Sequence, residues 1–254
     1  MPFEMRATGL ETKMHLGARK FAVSMISAWL LAFVSPAQAE DRAPWPAVQS
    51  NPLVIELYTS QGCLSCPPAD MVLDQLADLP GVLALAFHVD YWDYIGWKDP
   101  FATPVATKRQ KYYRHVLDNR YIYTPQFIIG GDASPNPANE SLFDRDLMDG
   151  AGEATLMLTS DERGILFPVT DNLSGPADLW LVHFDERHKT NITQGENAGR
   201  ELQYRHVVRE IRHLGDWHGE ERLLHWPEKV RYGAALIVQN REEGTILATM
   251  FTMN

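Results

Sequence analysis

Leu53-Val54-Ile55-Glu56-Leu57-Tyr58-Thr59-Ser60-Gln61-Gly62-Cys63-Leu64-Ser65-Cys66-Pro67-Pro68-Ala69-Asp70 takes the chain from an apolar, partly β-branched run, through a breaker, to two cysteines and a proline-led helix start. The run reads as a buried strand and Thr59 to Gly62 as a turn. Met71, Val72, Gln75, Leu76 and Leu79 are spaced for one helical face, which Pro80-Gly81 ends. The cysteines therefore sit where a helix begins. Backbone N–H groups of a first helical turn lack intrahelical acceptors and, with the macrodipole, favour an anion there. On this reading Cys63 is the stabilised, nucleophilic thiolate, and Cys66, one turn inward, resolves a mixed disulfide.

What the pair can be depends on the compartment. Arg19 and Lys20 precede an apolar run from Phe21 to Val34, and Ala37-Gln38-Ala39 closes the segment. A basic flank, a core shorter than the roughly 20 residues of a membrane span, and an A-x-A end describe a secretory signal peptide covering residues 1–39. Met14 would begin a shorter signal of the same kind. Cleavage after Ala39 would leave 19 basic against 31 acidic residues in a secreted or periplasmic protein. So acidic a surface repels phosphate backbones, which excludes nucleic acid as a natural partner. With no second C-x-x-C in 254 residues, zinc lacks ligands. That leaves a Cys63–Cys66 redox pair or a structural disulfide. Closing so short a loop removes little chain entropy, which weighs toward redox work.

The strand, C-x-x-C, helix order resembles the thioredoxin superfamily. Tyr58 to Asp70 resembles more closely one secreted bacterial branch, domain of unknown function 1223, as do Ala86-Phe87-His88-Val89-Asp90-Tyr91-Trp92-Asp93-Tyr94-Ile95-Gly96-Trp97-Lys98-Asp99-Pro100 and Tyr123-Thr124-Pro125-Gln126. The resemblance implies an α/β thioredoxin-like domain over residues 50–150. It also implies a cis-proline at Thr124-Pro125 opposite the cysteines, offering backbone hydrogen bonds to an extended substrate. No settled activity comes with it.

Glu56 is the one carboxylate in the first buried run. Buried without a partner, such a group holds its proton to higher pH and suits a proton relay to Cys66; hydrogen-bonded, it is structural. Gly81 to Phe87 reads as a parallel strand delivering His88, Asp90 and Trp92 to the sheet edge where ligands sit, as functional groups or as a packed wall. A second reading joins His88 to Cys63 and Cys66 as a copper site, similar to Sco copper chaperones, although those space their cysteines by three residues. Otherwise no metal or cofactor is expected.

Thr103-Pro104 is a cap and first position for a helix through Leu117, with Val105, Tyr112 and Val116 on one stripe. Asn139 to Asp149 can make a further helix. Beyond Gly150, Ala154–Thr159, Gly164–Thr170, Leu179–Phe184, Leu202–Ile211, Ala234–Val238 and Thr245–Phe251 are strand-like, which suggests a small all-β sandwich over residues 151–254. Its scattered histidines make no recognised ligand spacing. The reading is an exported thiol–disulfide oxidoreductase acting on a protein or small thiol, with copper delivery or non-catalytic binding as alternatives.

Overall fold

After a two-residue strand β1 (Gln49–Ser50), the apolar run folds as strand β2 (Leu53–Thr59), every residue of it buried. Helix α1 (Pro67–Leu76) follows the cysteines, and strand β3 (Val82–His88) returns parallel to β2, with Leu53 opposite Val82 and Thr59 opposite His88. A helical crossover is the ordinary join between parallel strands, and complete burial of both fits strands covered on two faces. A 3-10 turn at Asp93–Ile95 leads to helix α2 (Pro104–Val116), where the Thr103 hydroxyl accepts the Ala106 N–H at 3.2 Å as a cap. Strand β4 (Gln126–Ile129) then pairs antiparallel with β2.

This computed structural model describes residues 48–131, 155–225, 230 and 232–253. The expected signal peptide and the helix expected from Asn139 to Asp149 lie outside the described residues. The chain divides into Met1–Arg42 and Ala43–Asn254, and all that is described belongs to the second unit.

The remaining strands are β5 (Thr159–Ser160), β6 (Gly164–Phe167), β7 (Ala177–Asn191), β8 (Glu201–Trp217), β9 (Arg222–His225), β10 (Gly233–Asn240) and β11 (Ile246–Met253). They do not form the expected small sandwich behind a thioredoxin-like α/β domain. One mixed eight-stranded sheet, ordered β1-β11-β10-β7-β8-β3-β2-β4, runs through both halves, and β5-β6-β9 make a second, small sheet. With two α-helices among the described residues, the architecture is mostly β and argues against a thioredoxin fold.

The physical reason is the length of β7 and β8, 15 and 17 residues. Their hairpin reaches past its own neighbours, and β8 runs parallel to the open edge of β3, with Ala86 opposite Val207. An open strand edge has to be covered, and here a strand from the second half covers it.

The sheet curls until its ends meet, the Ile246 N–H donating to the Gly130 carbonyl at 2.9 Å. Gly131 has φ +86°, and a Cβ there would stand 2.1 Å from the Gly244 carbonyl oxygen, so only glycine allows this approach. Inside the curl, Val54, Tyr58, Phe87, Ile128, Val182, Ile237 and Phe251 pack with Ala106 and Tyr113 of α2. Outside it, Ile55, Leu57, Ala84 and Ala86 meet Ala69, Leu73 and Leu76 of α1. The small sheet packs on Leu236, Val238 and Met250.

In both helices the buried stripe overlaps the expected one only in part: Leu76 is buried and Val72, Tyr112 and Val116 pack against the core, while other expected positions face outward. In α1 the buried residues are Ala69, Asp70, Leu73 and Leu76, while Met71 is 63% exposed. In α2 they are Ala106, Thr107, Arg109, Gln110 and Tyr113, with Val105 exposed.

Candidate functional site

The turn after β2 is tied by successive backbone bonds: Cys63 N–H to the Ser60 carbonyl, Cys66 N–H to Cys63, and Asp70 N–H to Cys66. Cys63 and Cys66 form a disulfide, with Cα atoms 5.4 Å apart. Both are buried, while Leu64 and Ser65 between them are exposed. Cys66 is the N-cap of α1, so the cysteines do stand at the helix start. The expected ring of free N–H groups is thinner than foreseen, because Pro67 and Pro68 have none to offer. The macrodipole is the part of that argument which remains.

The tip of the β7–β8 hairpin seals the turn. Asn197, fully buried, donates from Nδ2 to the carbonyls of Gln61 and Cys63, each at 2.9 Å. The buried Gln61 side chain donates to the Thr190 hydroxyl at 3.2 Å and accepts the Trp97 indole N–H at 2.9 Å. Gly195 lies against Trp97, where a Cβ would come within 3.1 Å.

Under the turn, on the α1 side of the sheet, His88 ends β3 fully buried. Its Nδ1 bonds Asp99 Oδ2 at 2.6 Å, and that oxygen also accepts the Gln61 N–H at 2.8 Å. Burial pushes the Asp99 carboxyl up, but the His88 charge and hydrogen bond and the amides of Gln61 and Phe101 outweigh it, holding the group below its ordinary range. Asp70 is also here. Burial pushes its carboxyl up to about 7, with the nearby His88 charge and Thr59 hydroxyl acting in the opposite sense.

Trp92 links the cysteine turn to the proline turn. Its Cβ would lie 3.1 Å from a Cβ at Gly62, and its indole N–H donates to the Thr124 hydroxyl at 2.7 Å. The Thr124–Pro125 peptide bond is cis. Both residues are half-buried, and Tyr94, 81% exposed, stacks on Trp92. Asp90 stands apart from this group, its carboxylate accepting the Thr107 hydroxyl at 2.6 Å on α2.

Glu56 is not with the sulfurs either. Side chains alternate along a strand, so Glu56 shares the inner face with Val54 and Tyr58, while Leu57 and α1 lie on the outer one. Inside the curl its carboxylate accepts Arg109 at 2.6 and 2.8 Å, Tyr58 at 2.8 Å and Tyr113 at 2.7 Å. Arg109 continues to Gln239 at 3.2 Å. Four donors on one carboxylate make a structural ion pair.

The copper arrangement is not assembled: the sulfurs bond each other, and His88 is paired with Asp99. Among the described residues, Asp178, His213 and Asp216 are gathered closely enough to hold a cation. Arg241 bonds both of those aspartates at 2.5 and 2.6 Å and already supplies the positive charge.

Asp70, Asp99, Asn197, Gln61 and Tyr204 escaped the sequence reading. Asp70, four residues after Cys66, Gln61 and Asp99 stood within the family-like stretches and could have been found there.

A family model described as protein of unknown function DUF1223 matches residues 54–239. Among solved structures, a structural-genomics protein of Agrobacterium tumefaciens is 29% identical, over 79% of this chain and 93% of that one, with a TM-score of 0.66. HBP35 of Porphyromonas gingivalis is 16% identical, over 80% and 76%, with a TM-score of 0.48. The comparison with curated proteins finds no match.

Proposed function

The chain belongs to the DUF1223 family, and we propose that in this member the Cys63–Cys66 disulfide exchanges with thiols outside the cytoplasm. The carrying observation is the joined pair at the start of α1, with an exposed Leu64–Ser65 tip. The signal-like N-terminal sequence supports export, where disulfides persist.

In the exchange, a substrate thiolate attacks the Cys63 sulfur and the Cys63–Cys66 bond breaks. The electron pair goes to Cys66, which takes a proton. A second substrate thiolate then attacks the substrate sulfur of the mixed disulfide and releases Cys63. The substrate dithiol is oxidised by two electrons and the protein disulfide reduced by two. Trp92 and Thr124 form the wall beside which an extended substrate would lie.

Burial of both sulfurs favours a second reading, in which the bond only braces the turn. Reaction of the wild type with dithiothreitol, and of the single-cysteine variants with a peptide disulfide whose bond the remaining thiolate can open, separates the two. Exchange predicts that Cys66→Ser accumulates mixed disulfide while Cys63→Ser does not. Equal behaviour of both variants, with a reduction potential below about −300 mV, overturns exchange in favour of a brace.

A further inference from the structure

Beneath the cysteine turn, four elements bring together buried polar atoms short of partners, the Thr59 hydroxyl reaching only toward Asp70. They are Asp70 Oδ1 from α1, Thr59 Oγ1 from the end of β2, His88 Nε2 from the end of β3 and the Tyr204 hydroxyl from β8. Buried polar atoms are nearly always fully paired, so four under-partnered groups on one face of the sheet call for an explanation. Thr59 and His88 are neighbours across the strand pair, and the His88 ring meets Tyr204 edge-on with centroids 4.8 Å apart. Asp70 feels the charges of His88 and Asp99 and in turn acts on Tyr204.

Two further contacts give the cluster direction. Asp70 is four residues after Cys66 and bonds its carbonyl through the backbone N–H at 3.0 Å, so the two side chains share the inner face of α1. At the other end, Asp99 holds His88 Nδ1 at 2.6 Å, fixing the ring with Nε2 unbonded. We propose that Asp70 and His88 are a proton-carrying pair for the Cys66 sulfur: Asp70 protonates Cys66 as the disulfide opens and takes the proton back as it closes, and His88 replenishes Asp70.

This inference rests on the exchange reading above. The S–S bond breaks, its electron pair stays on Cys66 Sγ, and the Asp70 proton moves to that sulfur. The carboxylate left behind faces the imidazole, which passes on the next proton. Thr59 and Tyr204 can bridge the transfer; burial holds the Tyr204 hydroxyl well above its ordinary range, so it stays neutral. Across Phe101, whose ring packs on His88, stand His188 and Arg209. An Asp70 carboxyl near 7 is matched to proton transfer at neutral pH.

The test is the rate of reduction of the full chain by dithiothreitol across pH, divided by the dithiothreitol thiolate concentration. The corrected wild-type rate should fall above about pH 7, as Asp70 loses the proton it donates. Asp70→Asn should be slower by about a hundredfold at pH 6 and flat with pH. Asp70→Glu should restore the fall, and His88→Gln should move it to higher pH by removing a charge that favours the carboxylate. A folded Asp70→Asn protein, by circular dichroism, with the wild-type profile overturns the pair. If dithiothreitol does not react with wild type, the exchange reading falls, and infrared difference spectra after phosphine reduction judge the pair. A carboxyl band absent in Asp70→Asn that shifts on reduction supports it, and a band indifferent to redox state overturns it.

Discussion

Asn197 holds the carbonyl of Cys63 at 2.9 Å across 134 residues of sequence. The tip of the long hairpin is thereby part of the cysteine turn, and the segment that departs most from a simple α/β order also completes the site.

Removing that clamp should be costly and visible. Asn197→Ala leaves the Gln61 and Cys63 carbonyls buried without a donor, worth about 1–3 kcal/mol each. Urea denaturation should report a loss of about 2–6 kcal/mol. Reduction by dithiothreitol should accelerate, since the turn is freed. A variant of unchanged stability would show that the hairpin tip does not brace the turn.

Glu56 and Arg109 should behave as a unit. Breaking a buried ion pair on one side leaves an uncompensated charge, so Glu56→Gln or Arg109→Met should each cost about 3–5 kcal/mol. The double substitution should cost less than the two singles combined. Because Glu56 faces away from α1, thiol exchange measured well below the melting temperature should be unaffected, whereas a relay role would depress it.

Stability should fall with pH through one carboxyl. Asp70 sits at about 7 when folded against an ordinary 3.8, so the native state holds this proton more tightly than the unfolded chain. The contribution is complete below about pH 4 and is lost as pH rises through about 7. Asp99, held low, does the reverse in acid, and is common to wild type and variant. Compared by urea unfolding between pH 4 and 9, Asp70→Asn should gain on wild type as pH rises, by on the order of 4 kcal/mol.

Trp92→Phe deletes the indole donor to Thr124 and keeps most of the packing. Stability should fall by about 1 kcal/mol, since Thr124 is half-buried and water can replace the bond. Exchange with a peptide substrate should slow more than exchange with dithiothreitol, because only the peptide needs the wall between the two turns. Equal slowing would place Trp92 outside substrate positioning.

How much of this was legible follows from the range of the signals involved. The buried β2 run, the cysteines at the start of α1 and the Thr103-Pro104 cap are written in consecutive residues, and each stands where the sequence reading put it. The strand-like segments beyond residue 160 also became strands, Leu202 to Ile211 lying within β8. The helix stripes were right at Leu76, Val72, Tyr112 and Val116 and wrong elsewhere, because apolar spacing was taken as the mark of burial. Arg109 and Gln110 are buried because Glu56, Gln239, the Tyr123 carbonyl and Gln126 satisfy them. Asp70 is buried under the cysteine turn while Met71 beside it faces outward.

By itself the sequence determined the local grammar: where strands and helices begin, and that two cysteines meet a helix at its N-terminus. Those follow from φ/ψ limits at proline and glycine and from side-chain period, which act over a few residues. Only tertiary structure decided that both halves share one curled sheet, that Glu56 faces away from α1, and that Asp70, His88, Asp99, Tyr204 and Asn197 gather at and beneath the cysteine turn. Those depend on which distant strand covers an open edge and which donors reach a buried charge, and such pairings have no fixed spacing along the chain.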